Sequence, residues 1–279
     1  MRTLAALVIL FWSVSALATT LYNDPTSEEL REELRNIPFS EIEAKSQKSP
    51  EEEYLLGMTY LNGSKRHEVS MDRHEALLML KSAWDHGIAD AGYALFTIYY
   101  YGLGVEKNYE TAREYLTKSA EMGYSLSQRS LGHVYYGHKY SEMAKTDYEK
   151  ALHWYKCAAD QGDKVSALAI AEIYYLGKGV EKNDRKAFKW LLRSSKLEYG
   201  SPTASFVSLA KFYEEGIGTD VDLVQAYKYY DLQGSAGAEG KQRLSKQMTE
   251  DQIEEARRQS LEWQKEHNVR IGGGFFQMN

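Results

Sequence analysis

The sequence predicts an all-α fold, a right-handed α-α superhelical solenoid of five helix-pair repeats with N- and C-terminal capping helices. Tyrosines stand at Tyr60, Tyr99, Tyr135, Tyr174 and Tyr213, separated by 39, 36, 39 and 39 residues. A second comb, Ala76, Ala112, Ala151, Ala187 and Ala226, follows at 36, 39, 36 and 39. Between the two combs an acid or amide recurs four residues before each alanine. A fixed period in this range marks a stacked helical array, where each unit buries its apolar face only against its neighbours.

The elements follow in order. Residues 1–18 join Arg2, an apolar run from Leu4 to Trp12 and Ala16-Leu17-Ala18, the pattern of a secretory signal peptide cut after Ala18. That run falls short of the roughly 20 residues needed to cross a bilayer, so no transmembrane span is expected and the chain should be exported, periplasmic or secreted. Residues 19–50 form an N-terminal cap segment, in which Pro25-Thr26 opens a helix to about Arg35 with Leu30 and Leu34 inward.

Five repeats occupy residues 51–240. Each first helix carries an i, i+3, i+4 stripe, as in Leu95/Ile98/Tyr99, Leu131/Val134/Tyr135, Ile170/Ile173/Tyr174 and Leu209/Phe212/Tyr213. Gly57, Gly132, Ala171 and Ala210 lie three residues before the comb tyrosine, where helices approach closely; Phe96 breaks the rule. Gly102-Leu103-Gly104, Gly177-Lys178-Gly179 and Gly216-Ile217-Gly218 stop these helices. Asp72, Asn108, Asp147, Asn183 and Asp222 are N-caps for the second helices, and Asp72/Glu75 and Asp222/Gln225 have capping-box spacing. Gly87, Gly123, Gly162 and Gly237 close the second helices, with Gly200 a substitute where Glu198 stands.

From tyrosine to alanine the distances are 16, 13, 16, 13 and 13 residues, so the first and third copies hold three extra loop residues. Those loops, Asn62 to Met71 and Gly137 to Thr146, should protrude from one edge, as tolerated insertions or as binding loops. Residues 241–267 hold a C-terminal capping helix whose Ile253, Ala256, Ser260 and Trp263 share a face behind a Thr249/Gln252 capping box. Residues 268–279, with Gly272-Gly273-Gly274-Phe275-Phe276, read as a flexible tail.

A net charge of −6, or −7 once Arg2 is removed, with no basic block, argues against nucleic acid and anionic lipid as partners. Cys157 is the lone cysteine, so no intramolecular disulfide staples the chain. The seven histidines show no zinc spacing, no cofactor motif is present, and a monomer that is not an enzyme is expected. Ser208-Leu209-Ala210-Lys211 matches the Ser-x-x-Lys nucleophile motif without its companion motifs.

The segment Ile170-Ala171-Glu172-Ile173-Tyr174-Tyr175-Leu176-Gly177-Lys178-Gly179-Val180, continued by Asn183 to Trp190, resembles the Sel-1-like repeat, a branch of the tetratricopeptide-like arrays. The resemblance covers about residues 51–240. It implies a non-enzymatic scaffold or adaptor that binds a protein partner through its concave groove in the bacterial envelope. Two other roles are known in such families: immunity proteins that neutralise lipase-type toxins, and proteins linked to β-lactams, which keep open a hydrolase of cell-wall or β-lactam amides. The β-lactam-linked members carry paired cysteines, which this chain lacks.

Indexed from the comb tyrosine, positions −9, −6, −2 and +1 lie opposite the core stripe. In tetratricopeptide-like stacks this face is concave, which gives a partner-binding groove of Tyr93, Thr97, Tyr100, Arg129, His133, Tyr136, Leu168, Glu172, Tyr175 and Lys211, with Val207 and Glu214 beside them. Tyr100, Tyr136 and Tyr175 form a ladder that either meets a protein partner or packs between repeats.

Overall fold

The computed structural model describes residues 18–22 and 28–271, and its fold is the all-α solenoid that the combs predict. The leader before Ala18, the Pro25-Thr26 helix start and the tail from Gly272 lie outside the described residues. Two cap helices, α1 (Glu28–Asn36) and α2 (Phe39–Glu43), precede five antiparallel pairs. The pairs are α3 (Pro50–Asn62) with α4 (Arg73–Asp85), α5 (Ala89–Tyr101) with α6 (Tyr109–Glu121), and α7 (Ser125–Tyr136) with α8 (Tyr148–Asp160). They continue with α9 (Lys164–Leu176) and α10 (Asp184–Ser194), then α11 (Phe206–Glu215) and α12 (Leu223–Asp231). Short α13 (Ala238–Leu244) and long α14 (Glu250–Glu266) close the array against α12.

One backbone bond ties the two combs together. The N–H of each N-cap donates to the carbonyl of the comb tyrosine: Asp72 to Tyr60 (2.9 Å), Asn108 to Tyr99 (3.0 Å), Asp147 to Tyr135 (2.8 Å), Asn183 to Tyr174 (2.8 Å) and Asp222 to Tyr213 (2.9 Å). That carbonyl is among the last four of its helix, which have no intrahelical donor. All five N-cap side chains accept from a first-turn amide, as predicted. The return half of a capping box forms at Thr249/Gln252 and at Ser49/Glu52. At Asp222 it does not, because the Asp222 N–H is already given to the Tyr213 carbonyl; the Gln225 amide donates to Gln259 of α14 (2.7 Å).

The comb alanines are fully buried, and the glycine stops Gly102, Gly137, Gly177 and Gly216 are left-handed, a conformation that costs glycine little. Gly132 has a different reason: a β-carbon there would sit 2.4 Å from the Tyr155 ring of α8. Two expected stops are corrected. Helix α10 already ends at Ser194, and Gly200 lies beyond it in a crossing where Tyr199 pairs with Asp163. Gly237 has an ordinary negative φ and serves packing, since a β-carbon would fall 1.8 Å from the Tyr230 carbonyl oxygen.

Both ends are anchored. Thr19 donates its N–H to Gly87 O and accepts from Ala89 N–H, each at 2.9 Å, while the N–H groups of Leu21 and Tyr22 donate to the Asp90 carboxylate (2.9 and 3.1 Å). Tyr22 is buried against Tyr54. Asp90 is only 1% exposed, and burial pushes its carboxyl up to about 7 against the pull of the Leu21 amide. At the other end, Ala256 and Ser260 face the core as predicted. The first residues of the expected tail are held: Val269 N–H donates to Gln264 O, Ile271 N–H donates to Gln264 Oε1, and Ile271 packs against the last repeats.

Candidate partner-binding cavity

The inner face divides into two unlike stretches, and the longer loop of the third copy makes the division. Instead of protruding, Gly137 to Thr146 folds back over α5. Met143 is buried among Phe96, Ala112 and Leu116. Tyr140, at φ 59°, sets its ring edge-on to Phe96 (5.1 Å) and to Tyr100 (4.9 Å). Tyr100 donates to Glu142 (2.9 Å), and Arg113 reaches the Met143 carbonyl (3.4 Å). Phe96 breaks the small-residue rule because its ring fills this aromatic nest, with Tyr93 5.3 Å away. The loop of the first copy also turns inward at its tip: Ser64 and Val69 pair as a small antiparallel bridge, and Val69 packs on Ile37, Phe39 and Ile42 of the leading cap.

Beyond the seal, repeats three to five enclose a concave cavity of about 600 Å³. Six of the ten predicted groove residues line it: His133 and Tyr136 from α7, Leu168, Glu172 and Tyr175 from α9, and Lys211 from α11. Four do not. Tyr93, Thr97 and Tyr100 lie on the sealed stretch, Thr97 with its hydroxyl donating to the Tyr93 carbonyl (3.0 Å). Arg129 is committed to Asp163 (3.0 Å), the nearly inaccessible N-cap of α9, and joins repeat three to repeat four as an internal staple.

The tyrosine ladder is likewise split. Tyr100 belongs to the nest under Tyr140, while Tyr136 is 9% exposed and Tyr175 is half-buried against Phe212 (5.3 Å). The Tyr136 hydroxyl donates to Glu172 (2.5 Å) and accepts from Lys178 (2.7 Å), whose ammonium also sits 4.5 Å from the ring centroid. Behind it, the Tyr155 hydroxyl and His133 Nδ1 share a 2.8 Å hydrogen bond. Burial, with Arg129 and Lys139 nearby, lowers His133 to about 4, so its imidazole is neutral at pH 7.

Several lining residues went unnamed in the sequence reading. Val165 and Ala204 occupy the −9 position of copies four and five, a face that the register already marks as concave. Val207, expected beside the groove, does line the cavity, 61% exposed at −6 of copy five. His138 and Lys139 come from the folded-back loop, which helical register does not describe. Ser208 and Lys211 do face one cavity, but the Lys211 ammonium turns toward Glu215 (3.9 Å). Glu214 is drawn out of the groove by Arg243 (2.8 Å) and Tyr230 (2.8 Å).

The Sel1 repeat model matches residues 53–87, 89–124, 125–163, 165–199 and 207–232, one match for each helix pair. The chitin synthase regulator SKT5 of Saccharomyces cerevisiae is 32% identical over 167 residues, 58% of this chain and 23% of that protein. The uncharacterized protein NMB1327 of Neisseria meningitidis is 34% identical over 190 residues, 68% of this chain and 37% of that protein. The chain thus spans well under half the length of these two curated relatives. In fold it is similar to the crystal structure of a Sel1 repeat protein from Oxalobacter formigenes, with a TM-score of 0.62 at 23% identity over 76% of this chain and 82% of that one.

Proposed function

The chain belongs to the Sel1-repeat family, and we propose that it is an exported, non-catalytic adaptor that docks a protein partner in the cavity of repeats three to five. Sel1-repeat chains are helical scaffolds for protein–protein interaction, and the finer assignment rests on the cavity itself. Its apolar walls, formed by Leu168, Val207 and Phe212, stand open where the preceding stretch is filled by the chain's own loop. An apolar recess of this size with a few convergent polar groups is the usual form of a recognition site. Among the described residues no helix is long and apolar enough to cross a membrane. Export is supported by the leader pattern at residues 1–18, and by the use of Thr19 to Tyr22 as a structural strap directly after the expected cut.

The test is site-specific photocrosslinking in the native cell. A photoreactive residue replacing Val207 should trap one discrete protein, whereas the same residue at Leu261, 52% exposed on α14, should not. Absence of an adduct at Val207, or the same adduct from both positions, would remove the assignment. N-terminal sequencing of the exported chain should begin at Thr19, and a chain that keeps Met1 contradicts export by this leader. Purified protein should not turn over a chromogenic β-lactam; turnover abolished by Ser208→Ala would overturn the non-catalytic assignment.

A further inference from the structure

From the charge layout of the cavity we infer the chemistry of its occupant: a short apolar peptide segment flanked on both sides by carboxylates. The inference rests on the docking role proposed above and adds to it the class of ligand. The chain as a whole carries −6, yet the cavity lining runs the other way. Its single acid, Glu172, is spent internally: it accepts from Tyr136, and its charge is offset by Lys178 at 3.6 Å. Lys139 stands exposed at the repeat-three end. Lys211 stands at the repeat-five end, where its ion pair to Glu215, at 3.9 Å, is long and solvent-exposed on both sides (55% and 52%). A contact of that kind holds a lysine only weakly and leaves it able to meet a docking carboxylate.

Between these poles the wall is apolar, with Val165, Leu168, Tyr175, Val207 and Phe212 facing the space. His133, held neutral by burial, adds no charge to this floor. An occupant that covers the wall must be apolar in its middle. One that also answers the poles must carry negative charge at both ends, because like charges brought to Lys139 and Lys211 would oppose docking. A volume of about 600 Å³ takes a few side chains of an extended segment, not a folded domain. A basic-flanked segment, and a second copy of this chain, are the competing occupants.

Fluorescence anisotropy of the full chain with two labelled six-residue peptides tests the inference, one with four apolar residues between two aspartates and one with the same core between two lysines. The aspartate-flanked peptide should bind roughly tenfold tighter at low salt, and the gap should shrink as salt rises. The double variant Lys139→Glu/Lys211→Glu should invert the preference, while Lys65→Glu/Lys246→Glu, the same charge change at exposed sites elsewhere, should leave it. All four lysines are on the surface, and circular dichroism checks that each variant folds. Equal affinity for the two peptides, no binding of either, or an unaltered preference in the cavity variant overturns the inference. So does a peptide-free dimer that Lys211→Glu dissociates, which gives the cavity to a second copy. Failure of these peptides together with a Val207 adduct would discard the ligand chemistry and keep the docking site.

Discussion

Repeat two and repeat four share one register but present opposite inner faces. In repeat two, Phe96, Tyr93 and Tyr100 are capped by Tyr140 and Met143 of a neighbouring loop. In repeat four, Ala171, Leu168 and Tyr175 occupy the same positions and look into an open cavity. Three extra residues in the third copy make the difference, together with one large side chain where the others are small. In such an array the repeat fixes how helices stack, and the deviations from the repeat decide where the surface is available.

The comparison breaks most sharply at Phe96. Phe96→Ala removes a fully buried ring from the nest and should cost about 3–5 kcal/mol, while Val207→Ala in the open stretch should stay within roughly 0.5 kcal/mol. Denaturant midpoints read both, and a Phe96→Ala cost near that of Val207→Ala would mean that the loop does not seal repeat two. Next comes Gly132→Ala, whose added methyl meets the Tyr155 ring under the cavity floor. It should cost about 1–3 kcal/mol through overpacking and disturb the Tyr155–His133 bond, visible as a shifted His133 ring signal.

Acidity sharpens the contrast, because one buried titratable group lies at each side of the seal. Asp90 binds its proton more tightly in the folded chain, with its pKa raised from 3.8 to about 7. Its contribution to stability is therefore complete below about pH 4 and is lost as pH rises toward 7. Asp90→Asn should flatten that decline, measured as the melting midpoint across pH 4 to 7. His133 has the opposite sign. Lowered from 6.5 to about 4, it stays neutral while the unfolded chain takes up a proton, so its contribution is present above about pH 6.5 and is lost as pH falls toward 4. An NMR titration should find no His133 midpoint above about pH 5.

The smallest effect should also be the most even. Asn108→Ala in the sealed repeat and Asn183→Ala in the open one should each cost about 1 kcal/mol, because both caps serve stacking and neither serves the inner face. A clear difference between them would show that the loop reaches farther into α6 than its contacts indicate.

What was legible in the sequence is what depends on neighbours in the chain. The combs, the N-caps and the left-handed glycines each follow from a helix end and its next few residues, so they recur and can be counted. The pairing of Arg129 is not legible in the sequence because its partner Asp163 lies 34 residues away, in the next repeat, where a single-helix register gives no view of it. The fate of Gly137 to Thr146 was hidden for a related reason: loop length records an insertion but not its direction. Tyr140 and Met143 choose the inward path by burying apolar surface against Phe96. The −9 residues Val165 and Ala204 were within reach, since the stated face already contained them.

Hydrogen exchange of the chain, free and bound to the protein trapped at Val207, bears most directly on the claim that the loop assigns docking to one stretch of the inner face. Binding should slow exchange in α9 and α11 and leave α5 and residues 137–146 at their free rates. Protection centred on α5, or release of residues 137–146 on binding, would contradict it.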